Sequence, residues 1–459
     1  MHKVLLVTYL FPPSGGVGVP RALGYVRYLP QYGAEVVVLT PRRPATAYYD
    51  PGLQKLIPEE TVICRVFNPE IPYRWKDAMW RLLAARSSVQ PNQNPNSPSQ
   101  AGSALNLAIR RGVRRVFFPD IQSVWVPFAI HAGHRIIREH GIDTVLVNAP
   151  PYSLLKVGLA LKKEHPNVKL VTDFRDDWLG YYAVQADGPS DYNVDWSERE
   201  WHRARALEKA AVTHSNYVSI ATPAWQQQLR ERYPNENPAK FICTTNGYEP
   251  TLFQDCRSVR PKGYPKVVIS YFGTLNSSRV YSPKTYLEAV DSLPFDVRAK
   301  IETRFIGRVT PDCQPQLAGR ADVREFGFLP KEKGIELLRD SDYLLLIATN
   351  PSSHAGKLFE YLAMAKPIIA LCAPTGEISR VLRETRSGWA VDPWDKTAIA
   401  ELLLKCCEFT QRNELGVNPD WQAIRRYSWP EIVRNFAGNI GVLSIQPGEC
   451  SREDLKITV

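Results

Sequence analysis

At 459 residues the chain exceeds what one hydrophobic core usually fills, so two or more domains are expected. Apolar and charged fractions of 44% and 23% are ordinary for a globular protein, and no stretch approaches the ~18–20 uninterrupted apolar residues of a membrane-spanning helix. The net charge of +10 asks for an anionic partner, and the lack of any recognisable base-reading module sets nucleic acid aside.

In chain order, residues 4–8 read as a buried first strand; the run before and through it is too short for a secretory signal. The loop Phe11-Pro-Pro-Ser-Gly-Gly-Val-Gly18 follows, then a helix over residues 20–32 capped by Gly33, then a strand at 35–39. Strand, glycine-rich loop, helix, strand predicts a parallel sheet with helices on its faces. Further strands are expected at 144–148, 169–173, 217–221 and 241–244.

Between Tyr73 and Arg115 the cations Arg74, Lys76, Arg81, Arg86, Arg110, Arg111, Arg114 and Arg115 face a single acid, Asp77. Two basic segments, one with Trp75 and Trp80 and one with Val113 and Phe117, mix aromatic and aliphatic residues with Arg, as helices lying on an anionic membrane do; the alternative is ordinary amphipathic helices packed on the sheet with a solvated basic face. The Pro- and Asn-rich stretch 88–103 between them reads as a loop. Residues 256–266 read as an interdomain linker. After it the alternation restarts, with strands at 267–271, 300–306, 323–326, 343–347, 367–371 and 388–391 and a helix at 283–293. Residues 421–443 read as one or two helices and 446–459 as a frayed tail. The eight cysteines are scattered with no C-x-x-C pair, so neither a zinc site nor a disulfide framework is suggested and a reducing cytoplasm fits.

The run from Lys357 to Pro367 carries the most chemistry. Leu358, Tyr361, Leu362 and Ala365 make a helical stripe that can face a core, while Lys357 and Glu360 lie on another face of the first turn. Gly356 before them allows close backbone approach, and a helix N-terminus beside a Lys is a seat for phosphate. A carboxylate one turn in can accept hydrogen bonds from a ribose diol. The bland alternative is a core helix with an i, i+3 ion pair between Lys357 and Glu360. Gly15 and Gly16 precede a helix at the end of the first strand, where open α/β sheets bind ligands, but their spacing is not that of an NAD site. Asp173-Phe-Arg-Asp-Asp-Trp178 places several charges at the end of a strand, which are costly unless solvated, paired or used. The bland version pairs Arg175 with Asp176 and has Asp177 cap a helix. His354 is a lone loop histidine.

Tyr9-x-Phe-Pro-Pro13 with Gly15-Gly16, Phe118-Pro-Asp-x4-Trp125, Asn148-Ala-Pro-Pro151, Asp173–Trp178, Asn246-Gly-Tyr-Glu249 and Lys357–Pro367 occur here in an order and spacing that resemble the GT-B-fold retaining glycosyltransferases of family 4, in the branch associated with bacterial surface and exopolysaccharide assembly. The resemblance implies an α/β chain of two Rossmann-like, doubly wound parallel-sheet domains facing across a cleft: residues 1–255 for the acceptor, rejoined by a helix at 427–443, and 263–426 for a UDP- or GDP-linked sugar donor. It implies donor contacts from Gly15, Gly16, Gly273, Arg279, Gly327, Lys357 and Glu360. Arg175 and Asp176 stand in the catalytic place where many relatives carry a His. Asp120 and Trp125 would line the acceptor side. Thr274 replaces a second basic residue, and Ser352 replaces a Glu that precedes the helix Glu by eight positions. The expected partners are a nucleotide sugar, a saccharide or polyprenyl-linked acceptor, and an anionic membrane face met through residues 73–115. No cofactor, metal or nucleic acid is expected, and the expected location is the cytoplasm, peripheral to the inner face of the membrane. A nucleotide-sugar epimerase and an inactive nucleotide-sugar-binding scaffold are the competing readings.

Overall fold

The structure is a computed structural model and describes residues 1–16, 18–46, 49–70, 117–180, 196–253, 266–276 and 281–443. The basic segments at 73–115 and the loop 88–103 lie outside the described residues. So do nearly all of the linker at 256–266, the tail 446–459 and Arg279.

The first half is a seven-stranded parallel sheet. Its strands are β1 (His2–Thr8), β2 (Ala34–Pro41), β3 (Val62–Val66), β4 (Thr144–Ala149), β5 (Lys169–Phe174), β6 (Tyr217–Ile220) and β7 (Phe241–Cys243). They run in the order β3-β2-β1-β4-β5-β6-β7. The helices between them are α1 (Val19–Tyr28), α2 (Val126–His140), α3 (Leu154–Glu164), α4 (Glu198–His214) and α5 (Pro223–Arg232). The central strand is apolar without alternation because both of its faces are covered. Val4 and Leu6 pack toward α1, while Leu5 and Val7 pack toward α2 and α3.

The second half repeats the plan with six parallel strands in the order β10-β9-β8-β11-β12-β13. These are β8 (Val267–Phe272), β9 (Ile301–Ile306), β10 (Val323–Gly327), β11 (Tyr343–Ile347), β12 (Ile368–Leu371) and β13 (Gly388–Val391). Besides two one-turn helices, it carries α6 (Lys284–Asp291), α7 (Lys331–Arg339), α8 (Gly356–Ala363), α9 (Glu377–Thr385) and α10 (Lys396–Gln411), followed by α11 (Trp421–Arg425) and α12 (Trp429–Asn439). Along β11, Leu345 and Ile347 enter one core and Leu344 and Leu346 the other. In each sheet the chain winds outward from its first strand in both directions, which creates a switch point beside β1 and beside β8.

Two chain crossings join the halves side by side. Tyr248 N–H donates to the Tyr427 carbonyl at 3.1 Å and Trp429 N–H to the Tyr248 carbonyl at 3.0 Å. After the second crossing α12 packs on α1, so Trp429, Val433, Phe436 and Ile440 complete the first core. Gly24 admits that contact: a Cβ there would lie 2.7 Å from the Trp429 ring. A further seam joins α5 to the second half. Thr222 Oγ1 donates to the Ser352 carbonyl at 2.7 Å and Ala224 N–H to Glu377 Oε1 at 3.0 Å.

Two local expectations are corrected. The helix expected over 20–32 ends at Tyr28, because Pro30 starts a separate 3-10 turn that Gly33 closes at φ 94°. Strand β3 went unread because Val62-Ile-Cys-Arg-Val66 is short, mixed and only half covered. Among the described residues no helix is long and apolar enough to cross a membrane.

Candidate functional site

Three neighbouring strands of the second sheet end in glycine. Gly273 (φ 150°), Gly307 (φ 134°) and Gly327 (φ 65°) follow or close β8, β9 and β10, all with backbone that disfavours a side chain. A Cβ on Gly307 would lie 2.1 Å from the Gly273 carbonyl oxygen, and one on Gly273 would lie 2.7 Å from Lys357 Nζ. The strand ends thus lie close together and bare at the ligand-binding edge. A pocket of about 430 Å³ opens beside them, lined by Gly307, Arg308, Gln314, Glu325, Gly327 and Phe328.

Helix α8 sits over this edge. Leu358, Phe359, Tyr361 and Leu362 are buried, and the Tyr361 hydroxyl accepts the Phe272 N–H at 2.8 Å, which pins the helix to the end of β8. Ala365 falls beyond the helix, at φ 59°, and does not extend the expected stripe. The N-terminus of α8 has no side-chain cap among the described residues; the Leu358 N–H donates to the Ala355 carbonyl at 2.9 Å, and the N–H groups of Gly356 and Lys357 lead the helix. Lys357 and Glu360 do not form the bland i, i+3 pair. Lys357 turns toward β8, where Nζ lies 2.6 Å from the Tyr271 hydroxyl and 3.8 Å from the centre of that ring. Burial pushes its pKa down to about 7, against the opposing pull of Glu360. Glu360 turns the other way and takes a 2.6 Å ion pair from Lys331, the first residue of α7. Helix α8 therefore holds an amine over the end of β8 and a carboxylate against the start of α7.

The first half offers a different arrangement. Gly15 is buried and Gly16 exposed at φ 103°, in the turn leading to α1. Helix α1 also lacks a side-chain cap and has no acid in its first turn. The Arg175 guanidinium lies against this turn: a Cβ on Gly18 would sit 2.4 Å from its Nη1. Its Nε is buried with no partner among the described residues.

Most other charges of Asp173–Trp178 are taken up by the fold. Asp173 makes a buried two-point ion pair with Arg21 at 2.6 and 2.7 Å and accepts from the Tyr25 hydroxyl at 3.0 Å. Arg21 also donates to the Thr244 carbonyl at 2.7 Å. Asp177 makes a two-point pair with Arg232, both bonds 2.8 Å, and Glu208 joins the same guanidinium at 2.9 Å. Asp177 Oδ2 also lies at the helix start at 178–180, where a Cβ on Gly180 would sit 1.9 Å from it. Asp176 has no side-chain hydrogen bond among the described residues. Burial raises its pKa, and the charges of Arg175 and Arg21 oppose that rise.

The two expected acceptor residues are placed differently: Trp125 lies in the core, and Asp120, partly exposed, lies at the start of α3. Asp120 accepts the Ser153 N–H at 2.9 Å and so caps the start of α3; burial raises its pKa. Trp125 is 0% exposed in the core against Tyr9. A patterned aromatic near a charged motif is read equally well as core or as platform, and here the core claims it. Ser352 lies on the seam with α5, its carbonyl bonded to Thr222 and its hydroxyl 3.3 Å from Gln228 Nε2. His354 is buried beside it, 3.4 Å from Glu377, and burial lowers its pKa.

The structure thus brings Gly273, Lys357 and Glu360 together around the start of α8, with Gly327 at the neighbouring pocket. It brings Gly16 and Arg175 together at the start of α1. Tyr271, Lys331, Arg21 and Arg232 were not singled out from sequence. Lys331 and Arg21 carried a signal, each a cation in the first turn of a helix, where acids are favoured.

No protein-family model matches the sequence, and no curated protein matches it by sequence. Solved structures do match in fold. Anabaena HepE in complex with UDP and glucose superposes with a TM-score of 0.61 at 14% identity, covering 96% of this chain and 100% of that one. Sucrose-phosphate synthase from Thermosynechococcus elongatus gives 0.60 at 14% identity, covering 95% and 98%. A putative UDP-N-acetylglucosamine 2-epimerase from Listeria monocytogenes gives 0.52 at 12%, covering 95% of each. The likeness spans both halves and shows that the chain has the GT-B fold.

Proposed function

We propose that the protein is a retaining glycosyltransferase of the family 4 type, moving a hexosyl group from a UDP- or GDP-linked donor to a saccharide or polyprenyl-linked acceptor in cell-surface glycan assembly. The observation that carries this reading is Lys357: an amine held over Gly273 at the start of an uncapped helix, with a carboxylate one turn along and a base-sized pocket at the neighbouring strand ends. That order suits a diphosphate, a ribose and a base laid across β8, β9 and β10. Lys357 and the α8 N–H groups would offset the charge that grows on the departing nucleoside diphosphate. Arg279 is proposed as the second cation on that diphosphate.

The acceptor would enter from the first half, past Gly15 and Gly16, with Arg175 and Asp176 facing the transferred sugar. As the bond from the anomeric carbon to the phosphate oxygen breaks, the acceptor oxygen bonds the same face. Its proton passes to the leaving phosphate. Closure of the halves would exclude water and favour transfer over hydrolysis. The basic segments at 73–115 are proposed to hold the enzyme on an anionic membrane from the cytoplasmic side.

The test is incubation with radiolabelled UDP- and GDP-sugars and a membrane extract. Label entering lipid or polysaccharide is the expected result, abolished in Lys357→Met. Nucleotide binding without turnover on any acceptor would instead favour the inactive scaffold, a reading to which Ser352 in place of the usual Glu lends weight. The fold shared with the Listeria protein keeps an epimerase in view. An epimerised sugar appearing by NMR without added acceptor would identify it.

A further inference from the structure

We infer that Lys331 is a positioning residue, which fixes the Glu360 carboxylate to receive the ribose hydroxyls of the donor nucleotide. This rests on the nucleotide-donor reading above and adds a residue that no motif contains.

Four observations carry it. Lys331 Nζ lies 2.6 Å from Glu360 Oε1, with only 22% and 19% of the two side chains exposed, so the pair is sheltered rather than a solvated surface contact. The residues come from different elements 29 positions apart, the start of α7 and the second turn of α8, so the pair ties together the two elements between which a ribose would lie. Lys331 opens α7 behind Pro330, with no side-chain cap among the described residues, and a cation there opposes the helix dipole. A local preference broken in this way needs an outside partner, and Glu360 supplies it. Finally, the more obvious partner is engaged elsewhere: Lys357, one turn back on the same helix, points to Tyr271. Lys331 and Glu360 both border a slot of about 20 Å³ that Leu23, Leu53, Arg27 and Glu249 also line, and there Arg27 is engaged by Glu249 at 3.0 Å.

A carboxylate oriented by one charged partner keeps lone pairs free for a diol. Only one of its oxygens is bonded by Lys331, which leaves the other and the remaining lone pairs of the first for the 2′ and 3′ hydroxyls. The partner also removes the freedom that Glu360 would otherwise lose on binding.

The experiment is calorimetric titration of wild type, Lys331→Met and Lys331→Arg with UDP and GDP and with their 2′,3′-dideoxy analogues. Circular dichroism and thermal melting confirm that each variant is folded. Lys331→Met is expected to weaken binding of the ribonucleotide about tenfold, the size of losing one charged hydrogen-bond partner, and to leave the dideoxy analogue unchanged. Lys331→Arg is expected to restore most of the loss. Equal loss on both nucleotides would overturn the proposal, because Lys331 would then touch phosphate or base directly. Tighter binding in Lys331→Met would overturn it too, because the pair would then be a latch that competes with ribose. If wild type binds neither ribonucleotide, the donor reading itself fails, which is a distinguishable result.

Discussion

The turns after β5 and before α8 carry charge in opposite ways. At Asp173–Trp178 the fold takes up two of the four charges: Arg21 engages Asp173, and Arg232 engages Asp177. These pairs tie α1 and α5 to the centre of the first sheet, and only Arg175 and Asp176 are left over. At Lys357–Pro367 the backbone is held by apolar burial and by one tyrosine hydroxyl, so neither charge is needed to hold the helix. Lys357 is half-buried against the phenols of Tyr271 and Tyr281, without a direct ion pair to Glu360. A dense cluster of charges in a sequence can therefore mark a structural joint, and a sparse pair can mark the place where ligand charge is awaited.

The largest expected effect tests the structural half of that contrast. Arg21→Met leaves Asp173 charged and unpaired at 0% exposure, which should lower unfolding free energy by about 3–5 kcal/mol. Urea denaturation measures it; a loss under 1 kcal/mol would show that the joint is dispensable. Next, Lys357→Met should weaken nucleoside diphosphate binding about 100-fold, near the strength of a sheltered charge-assisted contact, without lowering the melting temperature. A parallel fall in melting temperature would place Lys357 with Arg21 among the structural charges.

The third prediction follows from the depressed pKa of Lys357. Free, the amine loses its proton as pH rises through about 7; against a diphosphate it keeps that proton to higher pH. Affinity should be full below pH 7, fall up to tenfold per unit above it, and be accompanied by proton uptake. Calorimetry at pH 8 in buffers of different ionisation enthalpy reads the uptake directly, and a flat profile from pH 6 to 9 would remove the role. The smallest effect is expected at Asp120→Ala, which should cost about 1 kcal/mol as a lost cap on α3 and leave transfer rates unchanged. A fall in rate without a change in stability would return Asp120 to the acceptor side.

Much of the architecture was legible because parallel strands buried on both faces write apolar runs, as in Tyr343–Ile347 and Ile368–Leu371. Edge strand β3 escaped for the converse reason. The glycines at 273 and 327 were legible as strand-end turns, since few other residues tolerate their backbone. The direction of each charged side chain was not. Arg21 meets Asp173 across 152 positions and Lys331 meets Glu360 across 29, and no periodicity encodes such meetings. The expected pairing of Lys357 with Glu360 relied on nearness in sequence, and Tyr271 and Lys331 displaced it.

The docking of α12 on α1 has a consequence for biosynthesis. Val4, Leu6, Val26 and Val38 emerge early from the ribosome, yet the apolar surface that covers them, from Trp429 to Val442, is translated only after the whole second half. The first half must wait with part of its core open while the second folds as a self-contained unit. Chains halted before Trp429 would carry that uncovered surface into the cell, and they are the products for which chaperones would be most needed.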